Sequence, residues 1–347
     1  MKKGFSCPLP QTHHDTVQIA HGSGGRMTHE LIERLLLPGF RNPVLDRLGD
    51  AAVLEEAQGR IAFTTDTYVV DPLFFPGGSI GDLAVNGTVN DLAVSGARPL
   101  GISCALIIEE GFPLADLERV VNDISRAAHR AGVSVVTGDT KVVGRGGCDK
   151  LFINTSGVGV IPPERDLGVH RIQPGDRLVV SGTMGDHGVA ILASRKGLSF
   201  QTTVASDSAP LNGLVEVMLE STARVRVMRD PTRGGLAAVL NEFARATGLG
   251  IEIEEPLVPV GEPVRGACEL LGIDPLHVAN EGKLVAVVAE EDLDRLLSAM
   301  RAHPLGQESA AIGRVVEEHP GMVAGRTLMG STRIIDMPLG EQLPRIC

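Results

Sequence analysis

Residues 81–96 read Gly81-Asp-Leu-Ala-Val-Asn-Gly-Thr-Val-Asn-Asp-Leu-Ala-Val-Ser-Gly96, and the fold turns on how this stretch is read. Drawn at about 100° per residue, Leu83, Ala84, Val85, Val89, Leu92, Ala93 and Val94 cover every side of a helix, so the helix is expected to be buried all round. It nevertheless carries Asp82, Asn86 and Asn90 on one stripe, at i, i+4 and i+8, with Asp91 on the other side. Burying a carboxylate without a partner is costly, so a cation is expected nearby. Arg98 is a structural candidate, and a divalent metal serves Asp91 at least as well.

Working outward, Ile61-Ala-Phe-Thr-Thr65 and Val133-Ser-Val-Val-Thr137 read as strands, each running up to an acidic residue. Leu117, Val120, Val121, Ile124, Ala127, Ala128 and Ala131 give an amphipathic helix between them. Prolines at Ile161-Pro-Pro163 and Gln173-Pro-Gly175 interrupt the pattern. Beyond them Leu236, Val239, Leu240 and Phe243 mark a helix, Leu284–Ala289 a buried strand, and Leu293, Leu296, Leu297 and Met300 another helix. The 347 residues, at about 150 per domain, suggest two domains. The expectation is an α/β (α+β) chain with domains at 1–165 and 166–335, and a tail at 336–347 that is extended and mobile.

Composition narrows the function classes. The net charge of −11, one Tyr and no Trp argue against a nucleic-acid binder. No apolar run is long enough to span a bilayer, and Gly4 to Asp15 lacks the apolar core of a signal peptide. Five scattered cysteines without Cys-x-x-Cys indicate neither a zinc site nor a disulfide framework, so a soluble cytoplasmic protein is expected.

Carboxylates near strand ends carry the first chemical signal: Asp50, Asp66, Asp139 and Asp230. Ligands of α/β proteins gather beyond strand ends, and Mg²⁺ favours a few carboxylates plus phosphate oxygens. Turn chemistry explains Gly-Asp pairs equally well, and is the better reading for Asp176 and Asp186. Glycine-rich loops at His21–Gly25 and Arg233-Gly-Gly235 each precede a helix, a setting that suits an anion, although standard phosphate fingerprints are missing. Gly77-Gly-Ser-Ile-Gly81 matches a nucleophile elbow, but no strand is read immediately before it, so it is set aside. Lys141 and Glu281 adjoin these motifs and suit charge neutralisation and proton transfer, or else ordinary surface ion pairing. Cys347 ends the chain; the segment after Pro338 could swing its thiol through roughly 30 Å, as a delivery arm would, whereas an inert terminal residue is the commoner reading.

Together these motifs resemble the HypE family of hydrogenase-maturation carbamoyl dehydratases, in the superfamily of aminoimidazole ribonucleotide synthetase, thiamine-monophosphate kinase and selenophosphate synthetase. The matching runs are His21–Gly25, Thr64-Thr-Asp-Thr-Tyr68, Asp71–Gly78, Asn90–Ala97, Thr137-Gly-Asp-Thr-Lys-Val-Val143, Asp230–Gly235 and Asn280–Lys283, with Pro344-Arg-Ile-Cys347 as the specific mark. The resemblance implies a two-domain PurM-like ATP-binding fold whose N-terminal sheet pairs with that of a second subunit, forming a homodimer around ATP. It implies that Asp50, Asp66, Asp91, Asp139 and Asp230 serve Mg²⁺ and ATP, with Asp82, Asn90, Gly138, Thr140 and Gly234 also at the nucleotide. Cys347 would receive a carbamoyl group from a partner carbamoyltransferase and be dehydrated with ATP to an S-cyanide, with Lys141 and Glu281 handling protons near the inserted tail. An iron-scaffold maturation complex would accept the cyanide for the nickel-iron centre.

Two other readings compete. A selenophosphate-synthetase-like phosphorylating enzyme would carry a reactive Cys or Sec and a Lys in the N-terminal glycine-rich segment, and His21–Gly25 has neither. A non-catalytic thiol carrier would use Cys347 but needs no array of aspartates.

Overall fold

The computed structural model describes residues 15–22, 26–45, 58–195, 203–222, 224–337 and 345–347. Asp50, Cys7, part of the His21–Gly25 loop and tail residues 338–344 lie outside them.

Helix α1 (Arg26–Leu31) continues through a π-helical turn, Ile32–Leu36, into α2 (Leu37–Phe40). Then come β1 (Arg60–Tyr68), a hairpin of β2 (Phe74–Phe75) and β3 (Gly78–Ser79), α3 (Ile80–Val94), β4 (Arg98–Glu109), α4 (Leu114–Ala131), β5 (Val135–Val143) and β6 (Leu151–Ile161). The first large sheet has the order β1-β6-β4-β5, antiparallel except for β4 and β5, which run parallel across the α4 crossover. One face packs on α3 and α4 through Ile102, Leu106, Ile108, Leu151 and Ile153. The other leaves Ile61 and Phe63 74% and 69% exposed.

Helix α3 is buried throughout apart from Asp91, as the all-round apolar pattern predicts. Ser79 caps it: its hydroxyl accepts from the Gly81 N–H while Asp82 returns a bond to the Ser79 N–H. Ser79 is therefore a helix cap, and the elbow reading of Gly77–Gly81 is dispensed with. Asp66 and Asp139 lie inside strands, not at their ends, because pairing carries β1 to Tyr68 and β5 to Val143.

The second sheet is built from β7 (Arg177–Val180), β8 (Val225–Arg229), β9 (Gly250–Glu254), β10 (Val285–Val288), β11 (Ala310–Val316), β12 (Val323–Arg326) and β13 (Thr332–Ile334), in the order β13-β12-β9-β11-β7-β10-β8. Between these strands run α5 (Asp186–Ser194), α6 (Asn212–Ser221), α7 (Gly235–Thr247), α8 (Glu262–Leu271) and α9 (Leu293–Arg301). Leu236, Leu240 and Phe243 of α7 cover one face, and α6 and α9 cover the other. Strand β10 is thus apolar on both sides, the reason for its uninterrupted Val-Ala-Val-Val run.

The two halves share packing. Val189, Ala190 and Ile191 of α5 and Val264, Ala267 and Cys268 of α8 join the core around α3, and Ala93 and Val94 of α3 join that of α6 and α9. Among the described residues no helix is long and apolar enough to cross a membrane.

Candidate active site

An acidic cluster, the acidic pocket below, forms where Asp91 of α3 meets Asp66 of β1 and the loops carrying Asp230 and Glu281. Alternation along β1 turns Thr64, Asp66 and Tyr68 toward α3. There the Thr64 hydroxyl donates to Asp91 Oδ2 at 2.7 Å, and the Tyr68 hydroxyl donates to Asp66 Oδ2 at 3.3 Å. Burial first, then repulsion from Asp91, raises the Asp66 pKa to about 6. Burial, Asp91 and Asp66 raise that of Asp230, in the loop after β8, to about 7. Glu281 is 4% exposed, its Oε1 has no hydrogen-bond partner, and burial together with Asp230, Asp207 and Asp66 holds its carboxyl well above the usual range. Arg233 is the cation that opposes these shifts on Asp66 and Glu281. Burial and these neighbouring acids thus favour the protonated form of Glu281.

The motif residues around Glu281 are fasteners. Asn280 Nδ2 donates to the Pro231 carbonyl at 3.1 Å, and its Oδ1 accepts from the Gly185 N–H at 2.7 Å, tying three loops together. Gly282 must lack a side chain, since a Cβ would stand 1.8 Å from the Asp207 carbonyl oxygen. Asp207 accepts from the N–H groups of Glu281 and Gly282 at 3.1 and 3.2 Å and pairs with Lys283 at 3.4 Å. No signal in the sequence marks Asp207; its loop lies 74 residues before Glu281 and meets it only in space.

Asp82 and Asn90 of the α3 polar stripe make contacts within the protein. Asp82 caps its own helix and pairs with Arg130 of α4 at 2.8 Å. Asn90 donates to the Ala209 and Glu281 carbonyls and accepts from the Leu211 N–H, clasping the second half of the chain. Arg98, a candidate partner for one of the α3 carboxylates, pairs with Glu216, as does Arg165.

Gly138, Asp139, Thr140 and Lys141 stand apart from the acidic pocket. They lie on β5, at the opposite edge of the sheet from β1, about 14 Å away at three strand spacings. Asp139 and Lys141 are exposed. Gly138, Asp139 and Thr140 border a cavity of about 240 Å³ with apolar walls from Ile32, Leu36, Phe40 and Leu106. Cys104, also on that wall, is inert, since burial raises its thiol pKa to about 12. Gly234, at φ +79, opens α7 in a left-handed turn next to Arg233.

Residues 345–347 are docked, whereas residues 338–344 of the tail expected to be mobile lie outside the described residues. The Val69 N–H donates to the Cys347 carbonyl at 3.1 Å and the Asp71 N–H to the Arg345 carbonyl at 3.3 Å, a short antiparallel pairing. Arg345 Nε donates to the Val69 carbonyl at 3.0 Å, and the guanidinium pairs with Asp149. Ile346 is 4% exposed in the core, with Cys347 packed beside it. Cys347 thus lies directly past the strand that carries Asp66 and Tyr68.

Comparison with known proteins identifies the family. Residues 48–161 match the N-terminal domain and residues 173–324 the C-terminal domain of AIR synthase related proteins. The chain is 53% identical to carbamoyl dehydratase HypE of Azotobacter vinelandii, covering 96% of this chain and 97% of the relative. It is 49% identical to carbamoyl dehydratase HypE of Escherichia coli K12, covering 96% and 100%. The crystal structure of hydrogenase maturation protein HypE in complex with ATP superposes with a TM-score of 0.92 at 49% identity, covering 96% of this chain and all of that one. Thiamine monophosphate kinase from Aquifex aeolicus, at 22% identity and a TM-score of 0.59, shares the fold. The chain therefore belongs to the carbamoyl dehydratase HypE family, built from the two AIR synthase related domains.

Proposed function

We propose that this chain performs ATP-dependent dehydration of an S-carboxamide on its own Cys347, giving an S-cyanide for the nickel-iron hydrogenase centre. The observation that carries the proposal is the docked terminus: Cys347 hydrogen-bonds to Val69 at the end of the strand that lines the acidic pocket.

In the balanced reaction, protein–S–C(O)NH₂ and ATP give protein–S–CN, ADP and phosphate; the carboxamide oxygen leaves in the phosphate and both amide protons are released. Mg-ATP, when bound, supplies the phosphoryl group that makes this oxygen a leaving group. Asp66, Asp91 and Asp230 fit the cation, because burial and mutual repulsion favour protonation of Asp66 and Asp230, a penalty that positive charge relieves. Mg²⁺ commonly takes one or two carboxylates and completes its shell with phosphates and water. A ready chelate of three side chains is not required, and none is present among the described residues. Glu281 would accept a proton from the amide nitrogen in its ionised form, which positive charge beside it would favour. The buried Ile346 seat keeps water from the activated carboxamide.

The remaining assignments follow from where the motifs stand. Asp139, Thr140 and Lys141 lie at the opposite sheet edge from Asp66, so a second copy is needed to bring both edges to one nucleotide. The bare apolar face of Ile61 and Phe63 favours that homodimer. Residues 1–165 then hold the nucleotide and the dimer contact, 166–335 cover the site, and 336–347 carry the reacting thiol, with Asp50 completing the acid set. Loading of Cys347 falls to a carbamoyltransferase, a partner supported by the solved HypE–HypF complex, whose HypE chain is 47% identical to this one over 89% of it with a TM-score of 0.78. An iron-bearing scaffold complex takes the cyanide. Glu281→Gln should bind ATP as the parent does and lose dehydration; unchanged turnover would refute the role given to Glu281.

A further inference from the structure

The docked tail is held by two side chains that the chemistry above leaves unused. His187 on α5 is fully buried; its Nδ1 sits 2.8 Å from Ser206 Oγ and its Nε2 2.6 Å from the Ile346 carbonyl oxygen. A carbonyl only accepts, so Nε2 carries the proton and donates to it, leaving Nδ1 to accept from the Ser206 hydroxyl. The ring cannot swing aside freely: Phe75 packs edge-on against it at 5.7 Å, and the Ser206 N–H is fixed to the Pro76 carbonyl at 2.7 Å. Arg195, just past the end of the same helix, donates Nη2 to the Arg345 carbonyl at 2.8 Å and Nε to the Asp71 carbonyl at 3.0 Å. Between them Arg345 adopts φ +54, a left-handed backbone that a residue with a side chain takes up only when its surroundings hold it there.

We propose that His187 and Arg195 form a latch for the tail, positioning residues that grip two consecutive carbonyls, those of Arg345 and Ile346, and set how much of the time Cys347 is docked. The latch grips backbone and therefore acts alike on the free, carbamoylated and cyanated thiol. Dehydration in the pocket needs the tail docked, whereas loading by a second protein needs it released. Weakening the latch should thus move two steps of one cycle in opposite directions, which general damage to the fold would not do. What the docked state accomplishes rests on the function proposed above; the latch itself does not.

The test uses three full-length variants. His187→Phe keeps the ring volume and removes the donor; Arg195→Gln weakens the grip from the half-buried side; His187→Gln restores an N–H donor. The first readout is the rate of Cys347 alkylation by iodoacetamide, followed by the mass of the C-terminal peptide without nucleotide. Loss of one hydrogen bond predicts a roughly 10-fold faster alkylation in His187→Phe and Arg195→Gln, and recovery toward the parent rate in His187→Gln. The second is the first-order rate of ATP-dependent dehydration of a preloaded tail, expected to fall in the same two variants while nucleotide binding stays unchanged. Unchanged alkylation in a folded Arg195→Gln protein overturns the latch, even if His187→Phe fails to fold. Faster alkylation in a protein whose parent shows no dehydration upholds the latch and refutes the function instead.

Discussion

Gly87→Ala tests the packing that holds the acidic pocket. A Cβ at position 87 would stand 2.1 Å from the Tyr68 hydroxyl oxygen and 3.2 Å from the ring carbon that bears it. Reaching ordinary contact, which begins at 3.4 Å, requires the hydroxyl to retreat by about 1.3 Å. Tyr68 is 4% exposed and its hydroxyl is bonded to Asp66, so retreat breaks that bond. Alanine gains about 1 kcal/mol of helix propensity over glycine. Against this stand about 1–3 kcal/mol for overpacking and about 1.5–3 kcal/mol for the lost bond to a carboxylate. The net destabilisation is therefore about 1.5–5 kcal/mol. Urea titration reads it as a lower midpoint at unchanged slope. Tyr68→Phe removes the clashing oxygen and leaves a ring carbon that need yield only about 0.2 Å, so Gly87→Ala in that background should cost far less than in the parent. Equal stability of Gly87→Ala and the parent, or additive losses in the double variant, would refute the reasoning.

Other consequences can be checked as directly. Phe63→Asp places a charge on the bare face of edge strand β1 and should shift the species seen by sedimentation velocity from the proposed dimer to monomer, with loss of dehydration; an unchanged dimer would move the interface elsewhere. Asp292 is 3% exposed, bonded to Arg224 and Thr222, and these bonds lower its pKa to about 2. A depressed carboxylate stabilises the fold above its unfolded value of 3.8, and that contribution fades as pH falls through about 2. Asp292→Asn should accordingly destabilise the protein by about 1.5–3 kcal/mol at pH 7, with the gap to the parent closing toward pH 2; a gap independent of pH would contradict this.

The sequence carried what local periodicity can carry. Helices α3, α4, α7 and α9 and strand β10 were legible because their burial repeats within the element itself. Strand limits were not: Asp66 and Asp139 look terminal until pairing with β6 and β4 extends each strand past them. The capping of α3 by Ser79 and Asp82 lies within four residues, yet the Arg130 that completes it comes 48 residues later. The acidic cluster was legible in its members, Asp66, Asp91, Asp230 and Glu281, but not in its electrostatics, because the upward shift of the Glu281 carboxyl comes from burial first and then from acids on other elements. Asp207, His187 and Arg195 gave no signal at all, since each acquires its role from partners more than 70 residues away. The seat of residues 345–347 escaped for the same reason: its partners, the N–H groups of Val69 and Asp71 and the side chains of His187 and Arg195, come from distant parts of the chain.

The most direct measurement is the mass of the C-terminal peptide of the carbamoylated protein before and after addition of Mg-ATP. Loss of the mass of one water from the adduct on Cys347, dependent on ATP and accompanied by one ADP, is the predicted result. A carbamoyl adduct that persists unchanged in the presence of bound ATP would contradict the account.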